Sequence, residues 1–248
     1  MQKTLLQIVQ SILDEMDADN VNSIGDTIES IQVASIVRDC YEELLSNRNW
    51  PHMKQLIQLE ASGSTDIPNY LRIPAKLKEL EEVRYDKRKE VIADKVFSRI
   101  VYKAPEDFLQ LISNRKSTHP NVKTVVDASG VELLIIDDKA PEFYTSFDDE
   151  WLVFDSYNKN VDDTLQKSKT QAIAYIFPNW VHSDSAIPDL PDEAFPLLIA
   201  ESKATAFFAL KQMINDKAEQ KAQRQNRWLS RKAWRVNGGI NYPNYGRK

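Results

Sequence analysis

The histidines of this 248-residue chain are the first candidates for chemistry, because histidine can act as an acid, a base or a metal ligand near neutral pH. The three histidines, His52, His119 and His182, lie far apart, and none falls in an H-E-x-x-H or triad-like motif. The six glycines are scattered and form no phosphate-binding loop. A catalytic histidine would therefore need partners that only the tertiary structure could supply.

The acidic residues offer no better pattern for catalysis or metal binding. Asp148–Glu150 and Asp137–Asp138 are consecutive, so their carboxylates point in different directions, as is typical of solvated turns. A calcium-type loop beginning at Asp17 fails, because Asn22 replaces the turn glycine and Ile28 the twelfth-position glutamate. We predict no metal, no cofactor and no catalytic residue, and hence a protein that is not an enzyme.

A single cysteine, Cys40, excludes an intramolecular disulfide and any cysteine-based zinc knuckle. Its spacing from Val37, Tyr41 and Leu44 fits one face of a helix, which predicts a buried thiol. No stretch approaches the roughly 18 uncharged apolar residues of a membrane span, and the first residues lack a signal-peptide cleavage pattern. These features predict a soluble protein made in the cytoplasm.

The charges are distributed unevenly along the chain. Residues 217–248 hold nine of the 32 bases but only one of the 37 acids, Glu219. That segment therefore carries about +8, whereas residues 1–216 carry about −13. Such a split predicts that the C-terminal segment meets an acidic partner, either nucleic acid or an acidic protein surface.

Aromatic residues are interleaved with these bases, at Trp228, Trp234, Tyr242 and Tyr245. The helix dipole alone can explain lysine and arginine near a helix C-terminus, but it does not explain two tryptophans and two tyrosines. Aromatic residues beside arginines are typical of protein interfaces, and they also stack on single-stranded nucleic acid. We favour a protein interface, because an acidic body would repel a polyanion.

Hydrophobic periodicity predicts helices at both ends of the chain. The first helix has one stripe of apolar residues: Leu5, Val9, Ile12, Leu13 and Met16. A second helix ends before Pro51. A long final helix begins near Asp189, with Pro191 in its first turn. If unbroken to Asn226 it would be roughly 57 Å long, so its polar end, Lys217–Arg227, should project or lie along the surface.

Between these helices the period changes toward two, which predicts strands. The predicted strands are Leu56–Leu59, Tyr70–Ile73, Leu77–Tyr85, Val91–Phe97, Val122–Val126, Val131–Ile136, Glu142–Thr145, Trp151–Phe154 and Ala172–Phe177. Val122–Val126 and Val131–Ile136 should form a hairpin. A short helix is predicted over Glu106–Asn114, behind Pro105.

These elements predict an α+β fold, with N-terminal helices and a long C-terminal helix packed with a central antiparallel β-rich part. We expect a single body over residues 1–227. Within it, residues 1–52 and 189–227 should be helical and residues 53–178 β-rich. Residues 228–248 should form an extended C-terminal docking tail, because glycines and a proline interrupt any helix there.

Four strings of residues, taken together and in this order, point to a family. They are Asn47–His52 (NRNWPH), Thr145–Tyr157 (TSFDDEWLVFDSY), Ile187–Pro196 (IPDLPDEAFP) and Trp234–Arg247 (WRVNGGINYPNYGR). The chain resembles the head-to-tail adaptor proteins of short-tailed bacteriophages, also called tail tubular protein A. The resemblance extends over nearly the whole chain, and its weight comes from the number and order of the strings.

The resemblance implies a structural virion protein that forms a homo-oligomeric ring, expected to be a dodecamer, under the portal of the capsid. Such a ring extends the channel through which the genome leaves and presents its lower face to the tail nozzle and fibre proteins. The C-terminal tail is expected to dock on the portal protein. Carried onto this chain, that role falls on Trp234, Arg235, Tyr242, Pro243, Tyr245 and Arg247.

An acidic body suits this role, since aspartate and glutamate lining a channel would let DNA pass without specific binding. The residues leave open an alternative, a DNA-binding protein that grips nucleic acid with its basic, aromatic C-terminal segment. A hydrolase of cell-wall glycan would need two carboxylates held across a cleft, and the sequence identifies no such pair. The expected location is the tail or neck of the virion, after synthesis in the host cytoplasm and without any membrane partner.

Overall fold

A computed structural model of the chain describes residues 2–89 and 93–231. The chain divides into two compact units. Met1–Met53 and Phe177–Lys248 form one, here called the helical unit, and Lys54–Ile176 forms the other, here called the strand unit. The described part contains five α-helices and ten β-strands, so the predicted α+β class is confirmed.

The described helices are α1 (Leu5–Glu15), α2 (Ile28–Ser46), α3 (Pro105–Ser113), α4 (Phe195–Lys211) and α5 (Asp216–Arg231). α1 begins with a capping box, in which Thr4 Oγ1 accepts from the Gln7 N–H and Gln7 Oε1 accepts from the Thr4 N–H. Its apolar stripe is buried, as the periodicity predicts. In the helical unit α4 packs against α1, α2 and α5.

The C-terminal helical segment is not one unbroken helix from Asp189 to Asn226. α4 begins only at Phe195 and stops at Gln212, which adopts the left-handed conformation at φ 52° and ψ 32°. The Gln212 N–H donates to the Phe208 carbonyl at 3.1 Å, which closes the helix end.

A second helix then starts at a new cap. Asn215 Oδ1 accepts from the Ala218 N–H at 3.1 Å, the usual bond of an asparagine N-cap. α5 turns back and packs along α4, with Ala218, Ala222 and Leu229 buried. The polar segment therefore does not project as the continuation of a long helix.

The described strands are β1 (Lys54–Ile57), β2 (Glu60–Ala61), β3 (Tyr70–Arg72), β4 (Leu77–Asp86), β5 (Phe97–Tyr102), β6 (Val122–Val126), β7 (Glu132–Ile136), β8 (Phe143–Thr145), β9 (Trp151–Phe154) and β10 (Thr170–Ile176). Eight of these ten pair in the order β1-β10-β4-β5-β8-β9-β3-β2. Neighbours are antiparallel except β5 and β8, which are parallel. Only two residues separate β1 from β2, the two edge strands, so the sheet curls around its core. β6 and β7 form the predicted hairpin.

The predicted strand Val91–Phe97 is displaced toward the C-terminus. The structure describes residues 93–97 of this range, and β5 begins at Phe97. Asp86 explains the difference, because its Oδ1 accepts from the Arg88 and Val96 N–H groups and holds Val96 at the end of β4, so that β5 starts only after it. Burial opposes ionisation of Asp86, but these bonds and the Arg88 guanidinium hold its pKa below its usual value.

The core of the strand unit lies between the curled sheet and α3. Phe108 and Ile112 of α3 are buried against strand residues that include Leu71, Ile135 and Phe154. Among the helices that the structure describes, none is long and apolar enough to cross a membrane.

Candidate functional site

The predicted docking residues fall in a part of the chain that the structure does not describe. They are Trp234, Arg235, Tyr242, Pro243, Tyr245 and Arg247, all of which follow the last described residue, Arg231. The described part of the basic segment is α5, which leads directly into them. The surface of α5 is therefore the candidate binding site in the described part of the chain.

One side of α5 is a basic stripe that ends in a tryptophan. Lys217, Lys221, Arg224 and Trp228 recur at i, i+4, i+7 and i+11, so they lie on one side of the helix, and all four are exposed. From the sequence, α5 contains five bases and two acids. We call these four residues the basic flank.

The basic flank adjoins an open hollow of about 480 Å³. The hollow is formed by Arg224, Gln225 and Trp228 of α5 with Glu193 and Pro196 beside the start of α4. The Trp228 side chain is 44% exposed, which is unusual for tryptophan away from an interface. Arginine and tryptophan are among the residue types that contribute most to binding at protein interfaces.

The opposite side of α5 faces α2. Arg48, just beyond the end of α2, donates through Nη2 to Asn226 Oδ1 at 3.0 Å and to Ser230 Oγ at 2.5 Å. The same guanidinium lies 5.1 Å from the centre of the Trp50 ring. Arg48 thus ties the ends of α2 and α5 together, and burial lowers the pKa of its guanidinium.

A polar groove of about 440 Å³ runs between α2 and α5, with α4 as its floor. Glu43 of α2 and Glu201 of α4 line it. Partial burial raises the pKa of Glu201, and the carboxylates of Glu43 and Glu219 raise it further. Cys40 also lines the groove, buried as predicted, with Sγ 3.7 Å from Thr205 Oγ1, and burial raises the pKa of its thiol.

The side of α2 that faces away from the core has a different composition. Ile28, Ile31, Ser35, Asp39 and Glu42 lie on one stripe at i, i+3, i+7, i+11 and i+14, and all are exposed. We call these five residues the acidic stripe. From the sequence, α2 contains four acids and one base. The side chains of Ile28 and Ile31 are 75% and 48% exposed, a poor arrangement for an isolated surface helix.

Two of the four strings that suggest the family meet in the helical unit. His52, from the first string, places Nε2 3.0 Å from the carbonyl oxygen of Asp189 in the third. The Tyr41 hydroxyl donates to the same carbonyl at 3.5 Å. Burial lowers the pKa of His52, while the nearby Asp189 acts in the opposite direction. His52 is therefore placed as a packing residue that joins two chain segments.

The second string, Thr145–Tyr157, is the centre of the strand unit. Asp155 is 1% exposed, and its Oδ1 accepts from the Glu142 and Phe143 N–H groups, both at 2.9 Å. Its Oδ2 accepts from Arg115 Nη2 at 3.1 Å. Arg115 Nη1 donates in addition to the carbonyls of Leu134 and Asp155. This string therefore positions β8 and β9 rather than a reactive group.

The consecutive acids that could suggest catalysis form hydrogen bonds and an ion pair within loops instead. Asp148 Oδ1 accepts from the N–H groups of Glu150 and Trp151, at 2.9 Å each. Asp137 is paired with Lys159 at 2.7 Å. Among the described residues, no group of three or more His, Cys, Asp or Glu side chains is arranged to hold a metal ion.

Comparison with known proteins gives no family for this chain. No protein-family model matches the sequence, and no curated protein matches it significantly. The basic flank and the acidic stripe are therefore interpreted from the charge, the residue types and the exposure of their own side chains. Sequence reasoning noted the bases of α5 but missed the acidic stripe, although its spacing of three and four residues was a signal that could have found it.

Proposed function

We propose that this protein is a non-enzymatic structural protein of a bacteriophage virion, a ring-shaped adaptor that joins the portal to the tail nozzle and fibres. The ring extends the channel for the genome, and DNA passes through it without specific binding. The observation that carries the proposal is the ordered set of four strings. Each string is short, but amino-acid composition does not explain all four in the order of the resemblance, over the 201 residues from 47 to 247.

The described residues support this proposal in two ways. The helix that precedes the predicted docking residues presents bases and a tryptophan to solvent, so the chain enters its last segment from a surface already suited to a protein partner. The strings in the described part are used to join segments and to order strands, as expected of a scaffold subunit.

The experiment is a truncation that removes residues 232–248, tested for binding to the portal protein encoded by the same phage. A cut after Asn226 would be less informative, because it would also remove the buried Leu229 and weaken α5. The cut after Arg231 keeps all described contacts of that helix. We expect the shortened protein to fold normally and to lose portal binding.

Point variants distinguish the contribution of the aromatic residues in the tail from the contribution of its positive charge. Trp234→Ala with Tyr242→Ala removes aromatic anchors and leaves every base in place, and such anchors can each contribute about 2 kcal/mol or more at an interface. Lys248→Ala is a matched control at a position outside the predicted docking set. Portal binding and infectious particles from the truncated protein would refute the tail's role.

A second candidate, DNA binding, is favoured by the basic flank of α5, where a tryptophan lies on the same side of the helix as three cations, since tryptophan rings stack on the bases of single-stranded DNA. It predicts binding of single-stranded DNA that weakens steeply between 50 and 200 mM salt. A mobility-shift assay at low salt distinguishes the two functions. The adaptor function predicts no shifted band under conditions in which the portal complex forms.

A further inference from the structure

The helical unit carries two exposed helix faces whose charges are complementary. By sequence α2 carries four acids and one base, a net charge of −3, and α5 carries five bases and two acids, a net charge of +3. Because α5 turns its Asn226 and Ser230 side toward α2, the basic flank lies on its other side, away from α2. The acidic stripe likewise lies opposite the buried face of α2.

We propose that the acidic stripe of one copy packs against the basic flank of the next copy, and that this contact builds the ring. The inference rests on the proposed function and names the surface that assembles it. Two different faces of one molecule that bind each other make a head-to-tail contact, and such contacts close into rings when the rotation between copies allows. A single face that binds the same face of another copy would instead form a symmetric dimer.

The spacing of the two stripes fits antiparallel helices. Ile31 and Glu42 are eleven residues apart on α2, and Trp228 and Lys217 are eleven residues apart on α5. At 1.5 Å per residue each separation is roughly 16 Å. When Ile31 contacts Trp228, Glu42 therefore reaches Lys217, and Asp39 lies at the level of Lys221.

The same pairing in parallel orientation fails. It would place Ile28 and Ile31 beside Lys217 and Lys221, and it would put Asp39 beside Trp228. The antiparallel orientation covers exposed apolar side chains with each other and brings opposite charges together. Glu42 already pairs with Arg38 at 2.7 Å, but both side chains are about half exposed, so sharing that carboxylate with a lysine costs little.

Charge reversal tests this contact in the full-length protein. Asp39→Lys with Glu42→Lys makes the α2 face basic, and Lys217→Glu with Lys221→Glu makes the α5 face acidic. Each double variant alone should be largely monomeric by mass photometry, with the protein concentration needed for half assembly raised about tenfold or more. Asp19→Lys with Asp66→Lys, two exposed positions outside both stripes, is the control for the α2 variant, because it makes the same change in net charge, and it should assemble like the wild type.

Mixing the two reversed variants is the decisive measurement. The reversed α2 of one fits the reversed α5 of the other, and their unaltered faces also fit, so equimolar mixing should restore rings with an even number of copies. A folding defect cannot produce such mutual rescue. If both variants assemble alone as well as the wild type, this contact is wrong while the adaptor function stands. If the wild type stays monomeric, with and without the portal protein, both proposals fail. Loss of assembly without rescue on mixing would refute the pairing of these two faces.

Discussion

Asp155→Ala removes a carboxylate that is 1% exposed and holds three groups of the strand unit in place. The change leaves the Glu142 and Phe143 N–H groups without their acceptor and leaves the half-buried Arg115 guanidinium without its carboxylate. Removing one partner of a buried ion pair costs about 3–5 kcal/mol, and each buried donor left unsatisfied costs about 1–3 kcal/mol.

These terms overlap, because the strand ends can relax and water can enter. We therefore expect a loss of about 4 kcal/mol, a large part of the roughly 5–15 kcal/mol that stabilises a domain. Asp155→Asn should cost about 2 kcal/mol, since its amide oxygen can still accept both backbone bonds while the charged bond to Arg115 is lost. The prediction also fixes the order of the two losses, with Asp155→Ala less stable than Asp155→Asn.

Urea unfolding gives the free energies, and hydrogen exchange at the Glu142 and Phe143 amides tests the cause directly. Both amides should exchange faster in the alanine variant and remain protected in the asparagine variant. Glu142→Gln is a matched control, because the Glu142 side chain forms an exposed pair with Lys139 and its loss should cost less than about 1 kcal/mol. A loss below about 1 kcal/mol for Asp155→Ala, with both amides still protected, would refute the reasoning.

Three further predictions concern the helical unit. The buried Cys40 thiol, whose pKa is raised by burial, should react with a disulfide reagent at least about tenfold more slowly in native protein than in urea, and equal rates would contradict its placement. Because burial lowers the pKa of His52, the unfolded chain takes up the proton first, so stability should fall as pH drops below about 6.5. The decline of stability at low pH should be smaller in His52→Gln. An unchanged slope would show that another group causes the decline. Gln212→Gly should stabilise the protein by about 0.5–1 kcal/mol in thermal melts, since glycine adopts the left-handed conformation without strain, and a lower melting temperature would show that the side chain matters more.

Periodic segments could be predicted from the sequence because their pattern depends on neighbours in the chain. The stripe of α1, the hairpin of β6 and β7 and the strand β9 agree closely with the structure. The α1 stripe has a helical spacing behind a capping residue, the hairpin strands flank a glycine, and β9 is a short apolar run between acidic residues. The buried position of Cys40 followed from the same spacing.

The interruption between α4 and α5 could not be predicted in this way. Residues 212–215 include neither glycine nor proline, and good helix formers lie on both sides. Gln212 adopts an unfavourable backbone conformation there, and the packing of Ala218, Ala222 and Leu229 against the helical unit compensates for it. The basic flank exists as a separate surface only because α5 folds back.

The sequence by itself determined the unequal charge of this protein, the type of its elements and the predicted docking residues Trp234–Arg247, which lie outside the described part. The tertiary structure decided which distant residues meet. The contact of His52 with Asp189, the bonds of Asp155 to β8 and the parallel pairing of β5 with β8 all join residues far apart in the chain or fix a strand order. Such contacts depend on how whole elements pack, and a local pattern of residue types contains no information about a partner that lies more than one element away.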